Sequence, residues 1–221
     1  MTIAIDGPSG AGKSTVARAA AQRLGYAYID TGALYRAVGL AVMRSGASTK
    51  EAQAVAACLP GIQLAVKYIG GEQRVYLGDE DVSEAIRAPK ASMAASDVGK
   101  VPEVRAYLLG LQRELAASQD SILDGRDIGT VVLPDANVKI YLTASAEVRA
   151  QRRWLELKGK GIEEAREKVL AEVVARDEQD MKRPIAPLRP AQDSIELDSS
   201  GMALEETVQA VIDIIRSKGE T

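Results

Sequence analysis

Short apolar runs alternate along this chain with longer segments in which apolar residues recur at helical spacing. Strands that alternate with helices indicate a parallel sheet with helices packed on it. The runs that favour strands cover residues 2 to 6, 26 to 30, 121 to 124, 137 to 142 and 193 to 198. The pattern therefore predicts an α/β fold whose sheet is built from these segments.

The first helix is expected to begin at about Gly12, after a strand and a glycine-rich loop. Gly25 follows its last residue, at the position where helices favour glycine. The residues at helical spacing between these two glycines are Val16, Ala19, Ala20, Arg23 and Leu24. A strand, a glycine loop and a helix therefore follow one another in order.

Residues 62–78 break the alternation. Residues 62–69 and 74–77 are strand-like, and Gly70 and Gly71 lie between them. This pattern predicts an antiparallel hairpin with a glycine turn, which we take as an insertion packed on the core. Later in the chain, Gly159 and Gly161 separate two helical stretches, which fits either a hinged flap or an ordinary loop between helices.

Composition limits the classes of function. The 221 residues are enough for one fully cored domain with an insertion and are few for two domains. A net charge of -3, with 46% hydrophobic and 27% charged residues, is ordinary for a globular protein and gives no general basic field for nucleic acid. Any phosphate chemistry must therefore come from locally placed Lys and Arg.

The chain contains no histidine and one cysteine, Cys58. This excludes an internal disulfide, a Cys/His zinc site, and Ser-His or Cys-His catalysis. The first residues are too short an apolar run for a signal peptide, and no later run approaches a membrane span. We expect a cytoplasmic protein whose chemistry uses Lys, Arg, Asp and metal, without membrane or nucleic-acid partners.

Residues 7–14, GPSGAGKS, fit the phosphate-binding pattern G-x-x-x-x-G-K-[ST] and lie between a predicted strand and a predicted helix. Glycines let backbone N–H groups surround phosphate oxygens, and the helix N-terminus adds positive potential. Lys13 supplies a full charge, and Ser14 or Thr15 would orient Mg²⁺, in the case of Ser14 directly or through water. The predicted ATP-binding residues are Gly7, Pro8, Ser9, Gly10, Ala11, Gly12, Lys13, Ser14 and Thr15.

Three further charged clusters occupy residues 30–36, 124–127 and 176–183. The first two follow predicted strands, and loops at the C-terminal ends of parallel strands converge on the ligand crevice. Each cluster alone could be a solvated turn. No N-K-x-D run for reading guanine is present, which argues against a GTPase switch.

The third cluster is predicted to lie on a late helix that Pro184 ends. Arg176, Asp180 and Arg183 have the spacing i, i+4, i+7 and share one stripe of that helix. Two interpretations remain open. The stripe is either an exposed salt-bridge ladder continued from Glu172 or a clamp for a phosphate and a ribose.

Taken together, these motifs resemble the bacterial-type cytidylate kinase family. The resemblance spans nearly the whole chain, with a threonine at position 31 where some members carry serine. It rests on residues 5–15, 30–36, the antiparallel insert, 94–97, 104–105, 124–132, 149–153 and 176–183.

The resemblance implies a P-loop kinase fold with a five-stranded parallel sheet flanked by helices, a small antiparallel insert and a lid. Within a single kinase domain over residues 1–221, it implies a core, a monophosphate-binding insert and a lid. The core would cover about 1–60, 105–150 and 184–221, the insert about 61–104 and the lid about 151–183. A monomer is expected.

The resemblance also implies the positions of the two nucleotides, with ATP phosphates on residues 7–15. The acceptor phosphate would lie among Arg36, Arg126 and Arg183, and the base against Ser96, Arg105 and Asp127. The sugar would lie near Tyr35, Arg176 and Asp180, and Thr31 completes the CMP-binding set. A carboxylate or hydroxyl for the amino group of cytosine, with a guanidinium for the ring acceptors, matches this base.

The phosphate acceptor needs no general base, because the second pKa of a monoester is about 6. Catalysis would then rest on positioning and on charge neutralisation by Mg²⁺ and the side chains of Lys13, Arg126, Arg176 and Arg183. Arg149 and Arg153 would either close over ATP or be surface charges. The competing functions are a shikimate-type kinase, in which Asp30 guides a hydroxyl acceptor, and a nucleotide-dependent switch protein.

Overall fold

The structure, a computed structural model, describes residues 1–219, and its strands and helices are numbered in chain order. The strands are β1 (Thr2–Asp6), β2 (Ala27–Asp30), β3 (Leu64–Ile69), β4 (Glu72–Leu77), β5 (Glu80–Asp81), β6 (Ser121–Gly125), β7 (Val138–Thr143) and β8 (Ile195–Asp198). The main sheet has the order β2-β6-β1-β7-β8, and β3, β4 and β5 form a second sheet. The predicted α/β class with a five-stranded parallel sheet is confirmed.

The helices are α1 (Lys13–Leu24), α2 (Thr31–Arg44), α3 (Ala52–Cys58), α4 (Pro89–Val98), α5 (Pro102–Ala117), α6 (Ala146–Gly159), α7 (Arg166–Lys182) and α8 (Leu204–Gly219). A π-helical turn, Ile128–Val132, follows β6. Among residues 1–219, which the structure describes, no helix combines the length and the apolar character that a membrane crossing requires.

The centre of the main sheet is β1, which pairs in parallel with β6 on one side and with β7 on the other. Its residues Ile3, Ala4 and Ile5 are fully buried, as are Ile122 and Leu123 of β6. A strand covered on both faces carries a continuous apolar run, and this is why periodicity located it correctly.

Glycine bounds α1 at both ends. Gly12 at the N-cap has φ +89° and Gly25 at the C-cap has φ +70°, so both lie in the left-handed region. The N–H of Gly25 donates to the carbonyl of Ala21, which closes the last turn. The predicted start and end of the first helix are confirmed.

The predicted hairpin is present as β3 and β4, which pair antiparallel from Leu64 with Leu77 to Ile69 with Glu72. Gly70 and Gly71 form the turn, with φ +61° and +81°. A third strand, β5, extends this sheet and was not predicted, because two residues are too few to show periodicity.

Two compact units make up the chain. Residues Met1–Tyr26 and those from Asp120 onward form the first unit, and Ala27–Gln119 form the second. In the second unit, α2 and α4 pack so closely that a Cβ on Gly39 would lie 2.8 Å from the Cβ of Ala94. The division into core, insert and lid is functional and stays a prediction.

Candidate active site

The glycine-rich loop leaves β1 at Gly7, against the backbone of β7. A Cβ on Gly7 would lie 2.0 Å from the carbonyl oxygen of Leu142, so no other residue fits there without a backbone shift. Gly10 and Gly12 have φ +78° and +89°, a region that L side chains rarely adopt. The loop therefore has the conformation of a phosphate cradle, and its last glycine opens α1.

Lys13 is the first residue of α1 and is only 5% exposed. Its Nζ donates to the carbonyl of Pro8 at 2.8 Å, across the loop. Burial, and then the positive charge of Arg126, lower the pKa of Lys13 to about 7. The carboxylates of Asp124, Asp6 and Asp180 oppose that shift. A phosphate next to Lys13 would favour its charged form.

The hydroxyl of Ser14 donates to Oδ2 of Asp124 at 2.7 Å. Asp124 belongs to β6 and is buried, whereas Ser14, the second residue of α1, is exposed. A hydroxyl beside a carboxylate supplies the hard oxygen ligands that Mg²⁺ prefers next to a phosphate chain. These two side chains therefore fit a Mg²⁺ ion.

Asp6 at the end of β1 was missed by the sequence reasoning, although a carboxylate that ends a buried strand before a phosphate loop is a usable signal. Its two oxygens accept the N–H groups of Ile128 and Gly129, both at 2.8 Å. Burial raises the pKa of Asp6 to about 6, against the effect of these two bonds. Asp6 thus fixes the backbone that directly follows Asp127.

Arg126 and Asp127 follow β6 and pair with the end of α7. The Nε of Arg126 donates to Oδ2 of Asp180 at 2.9 Å. Arg183 donates from NH2 to Oδ1 of Asp127 at 3.2 Å. The structure therefore joins four of the predicted residues in two ion pairs, each made by one residue of the β6 loop and one from the end of α7 or just beyond it.

The predicted helical stripe needs a correction. The helix α7 ends at Lys182, and Arg183 has φ -63° and ψ +139°, an extended conformation. Arg183 precedes Pro184, whose ring disfavours the helical conformation of the residue before it. Arg176 is exposed on α7, and Asp180 is half-buried against Arg126. Arg183 therefore does not share a helical face with Arg176.

Arg149 is buried, so it is not a surface charge. Both terminal nitrogens of its guanidinium bind the carboxylate of Asp177, at 3.0 and 2.6 Å. NH1 also donates to the carbonyl of Ser9 at 3.0 Å, and Nε donates to that of Ala144 at 2.8 Å. Arg153 is nearly half exposed and pairs with Glu156, and its role toward ATP stays a prediction.

The sequence reasoning missed two residues here, Asp177, which binds Arg149, and Arg152, which binds the loop. Asp177 follows the buried Val169 and Val173 at intervals of four residues, so it continues the apolar stripe of α7. A carboxylate in such a stripe predicts a buried partner. Arg152 binds the loop as well, from NH1 to the carbonyl of Ala11 at 3.3 Å.

The second unit holds the remaining predicted residues. Thr31 is buried as the first residue of α2, and Asp30 caps this helix by accepting the N–H of Ala33 at 2.9 Å. The other oxygen of Asp30 accepts from NH2 of Arg36 at 2.7 Å. Among the residues the structure describes, Nε of Arg36 is buried with no hydrogen-bond acceptor. A guanidinium held in this way presents donors in a fixed orientation.

Tyr35 and Arg105 lie together in this unit. The guanidinium of Arg105 lies 5.7 Å from the centre of the Tyr35 ring, and its NH1 donates to the carbonyl of Gly99 at 3.1 Å. Ser96 is half-buried on α4, and the next residue, Asp97, accepts from the hydroxyl of Thr49 at 3.1 Å. The predicted base-binding residues Ser96 and Arg105 thus belong to neighbouring helices in the chain.

Comparison with known proteins gives a consistent result. A sequence model of cytidylate kinase matches residues 3–217. The chain is 50% identical to the cytidylate kinase of Caldicellulosiruptor saccharolyticus, over 97% of this chain and 95% of that protein. It is 47% identical to that of Carboxydothermus hydrogenoformans, over 100% and 99%. An uncharacterised protein from Eubacterium ventriosum shares the fold alone, with a TM-score of 0.53 and 11% identity over 98% and 99% of the two chains.

Proposed function

This chain belongs to the cytidylate kinase family, and we propose that it transfers the γ-phosphoryl group of ATP to CMP and dCMP, giving CDP and dCDP. The family match over residues 3–217 carries the proposal. The phosphate loop supports it, because its glycines, the N-terminus of α1 and Lys13 together form a site for a polyphosphate. Residues 7–15 are the proposed ATP-binding residues.

Mg²⁺ is the proposed metal. Ser14 and Asp124 would hold it, directly or through water, and the ion would neutralise charge on the β- and γ-phosphate oxygens. Lys13, the residue before Ser14 at the start of α1, would act on the same oxygens. Since the ordinary pKa of its amine is 10.5 and burial lowers it to about 7, the incoming phosphates restore the charge that the buried amine tends to lose.

For the acceptor, the proposed phosphate ligands are Arg36, Arg126 and Arg183. The ion pairs with Asp30, Asp180 and Asp127 orient these guanidiniums before any ligand binds. Preorganised donors lose little freedom when the phosphate arrives, and they lower the repulsion between the two anions. No side chain has to remove a proton, because a monoester phosphate is mostly ionised at neutral pH.

The proposed base-reading residues are Ser96, Arg105 and Asp127, and those proposed for the sugar are Tyr35, Arg176 and Asp180, with Thr31 as a further substrate contact. Cytosine presents an amino donor beside ring acceptors. Asp127 can accept from that donor, and Arg105 can donate to the acceptors. Uracil reverses part of the pattern, which gives the site a basis for selectivity.

Family membership disfavours the two competing functions. Asp30 gives a further argument against a shikimate-type kinase, because one of its oxygens caps α2 and the other binds Arg36. One assay decides among all three. ADP release is measured with AMP, CMP, dCMP, UMP, GMP and shikimate as acceptors, and fastest release with CMP and dCMP is expected. Fastest release with shikimate, or none dependent on an acceptor, would overturn the proposal.

We further propose that the protein is a cytoplasmic monomer whose partners are small-molecule nucleotides, without nucleic-acid or membrane partners. The single cysteine and the net charge of -3 support this interpretation, since they suit a reducing compartment and give no general affinity for nucleic acid. Light scattering coupled to size-exclusion chromatography tests the monomer. A mass near twice 23.5 kDa would contradict it.

A further inference from the structure

Arg149 joins three parts of the first unit. It binds the carbonyl of Ala144 beyond β7, the carbonyl of Ser9 in the phosphate loop and the carboxylate of Asp177 on α7. These contacts use four of the five N–H groups of a guanidinium. The donors of Arg149 are therefore mostly used within the protein, which makes Arg149 a poor candidate for a direct phosphate ligand.

The segment that Arg149 binds also reaches the residues proposed for the acceptor. Asp177 is buried, although Arg176 and Glu178 on either side of it are exposed. One turn further along α7, Asp180 binds Arg126, and the residue just after the helix, Arg183, binds Asp127. A single segment thus contacts the phosphate loop through Arg149 at one end and the loop after β6 at the other.

The contact between Arg149 and the phosphate loop is tight. A Cβ on Gly10 would lie 3.2 Å from the Cβ of Arg149, and Gly10 has a φ of +78° that favours glycine. A closely packed contact transmits displacement, because neither side has space to move alone. A bidentate pair between a buried guanidinium and a buried carboxylate is also costly to break, since each charge would be left uncompensated.

We propose that Arg149 and Asp177 are positioning residues that couple the phosphate loop to the acceptor residues on and after α7. They hold the carbonyl of Ser9 in place. When a nucleotide binds in the loop, the pair transmits the resulting displacement to Asp180 and Arg183. Binding of the donor nucleotide thereby strengthens binding of the acceptor, and the acceptor strengthens binding of the donor by the same factor. This inference rests on the proposed function only in taking ATP as donor and CMP as acceptor.

The test compares Asp177→Asn, which keeps the shape but removes the charge, with Asp177→Glu, which keeps the charge. Glu178→Gln is the matched control, because it removes an exposed carboxylate one residue away that pairs with the exposed Lys182. Calorimetry measures the Kd of a non-hydrolysable ATP analogue, and the Kd of CMP with and without that analogue. The ratio of the two CMP values is the coupling factor.

Asp177→Asn should raise the Kd of the ATP analogue about tenfold and bring the coupling factor close to one, since a charge-assisted bidentate contact is lost. Asp177→Glu should recover part of both effects, and Glu178→Gln should match the wild type. If Asp177→Asn lowers only the melting temperature and keeps the coupling factor of Glu178→Gln, the pair is merely structural and the inference is wrong. If Asp177→Asn does not fold, Arg149→Lys gives the same readout, since one ammonium cannot replace the bidentate contact.

Failure of the inference and failure of the proposed function are distinguishable. A wild-type protein that phosphorylates CMP but binds it equally well with and without the ATP analogue overturns the inference alone. A protein that phosphorylates another monophosphate instead of CMP overturns the substrate assignment. The coupling factor is then measured with that monophosphate, and a factor of one again contradicts the inference.

Discussion

Replacing Asp127 tests two roles of this side chain, one seen in the structure and one proposed. Its side chain is 8% exposed and accepts from Arg183, whose side chain is 12% exposed. It is also the residue proposed to accept a hydrogen bond from the amino group of cytosine. Asp127→Ala therefore removes the proposed base contact and, at the same time, one anchor of a proposed phosphate ligand.

The two losses differ in which substrate they affect. Losing a charged hydrogen-bond acceptor for cytosine costs about 1.5 to 3 kcal/mol, or roughly ten- to a hundredfold in kcat/KM for CMP. Releasing Arg183 weakens phosphate binding, and CMP and UMP carry the same phosphate. UMP has no amino group and so makes no such contact with Asp127. Asp127→Ala should therefore lower the ratio of kcat/KM for CMP to kcat/KM for UMP.

The assay measures kcat/KM for both substrates in the wild type, Asp127→Ala, Arg183→Ala and the double variant. Arg183→Ala should lower both values alike, at an unchanged ratio, and the double variant should lose less than the sum of the single effects because the residues are paired. Asp127→Asn serves as a second variant of nearly the same shape. A CMP to UMP ratio that stays constant in Asp127→Ala would mean that Asp127 only holds Arg183.

Three further predictions concern the donor side and the buried carboxylate. Lys13→Ala should keep the fold by circular dichroism and lower kcat at least about a hundredfold, because a charge aimed at the transferred group is lost; an unchanged kcat contradicts the role. Excess chelator should abolish turnover and added Mg²⁺ should restore it, and a full rate in chelator refutes the metal requirement. Burial raises the pKa of Asp6 from 3.8 to about 6, so its contribution to stability is full below about pH 4 and is lost as pH rises through about 6. Relative to Asp6→Asn, the free energy of unfolding of the wild type should fall by about 3 kcal/mol over that range in urea titrations, and parallel pH profiles would contradict this.

Local pattern was sufficient for much of the fold. The strands around β1 were found because both of their faces are buried, which leaves continuous apolar runs such as Ile3 to Ile5. The bounds of α1 and the turn at Gly70 and Gly71 were found because these glycines adopt conformations that other residues rarely adopt. The two-residue strand β5 had no such signal.

Local pattern was insufficient for the partners of charged residues. The sequence placed Arg183 on a helix, whereas Pro184 keeps it extended beyond the helix end. The sequence also left two roles open for Arg149, closing over ATP or a surface charge, and it predicted no role for Asp177. The reason is that their pairing joins residues 28 positions apart in the chain. Only the packing of α6 and α7 brings those two side chains together.

The sequence by itself determined the phosphate loop, the strands of the main sheet, the first helix and the residue types proposed to act on phosphate. These depend on backbone conformation and on periodicity, which act between residues close in the chain. The tertiary structure alone decided which carboxylate holds each arginine and that Asp6 fixes the backbone of Ile128 and Gly129. Such pairs form only where distant segments meet in a buried environment, where an unpaired charge is too costly to keep.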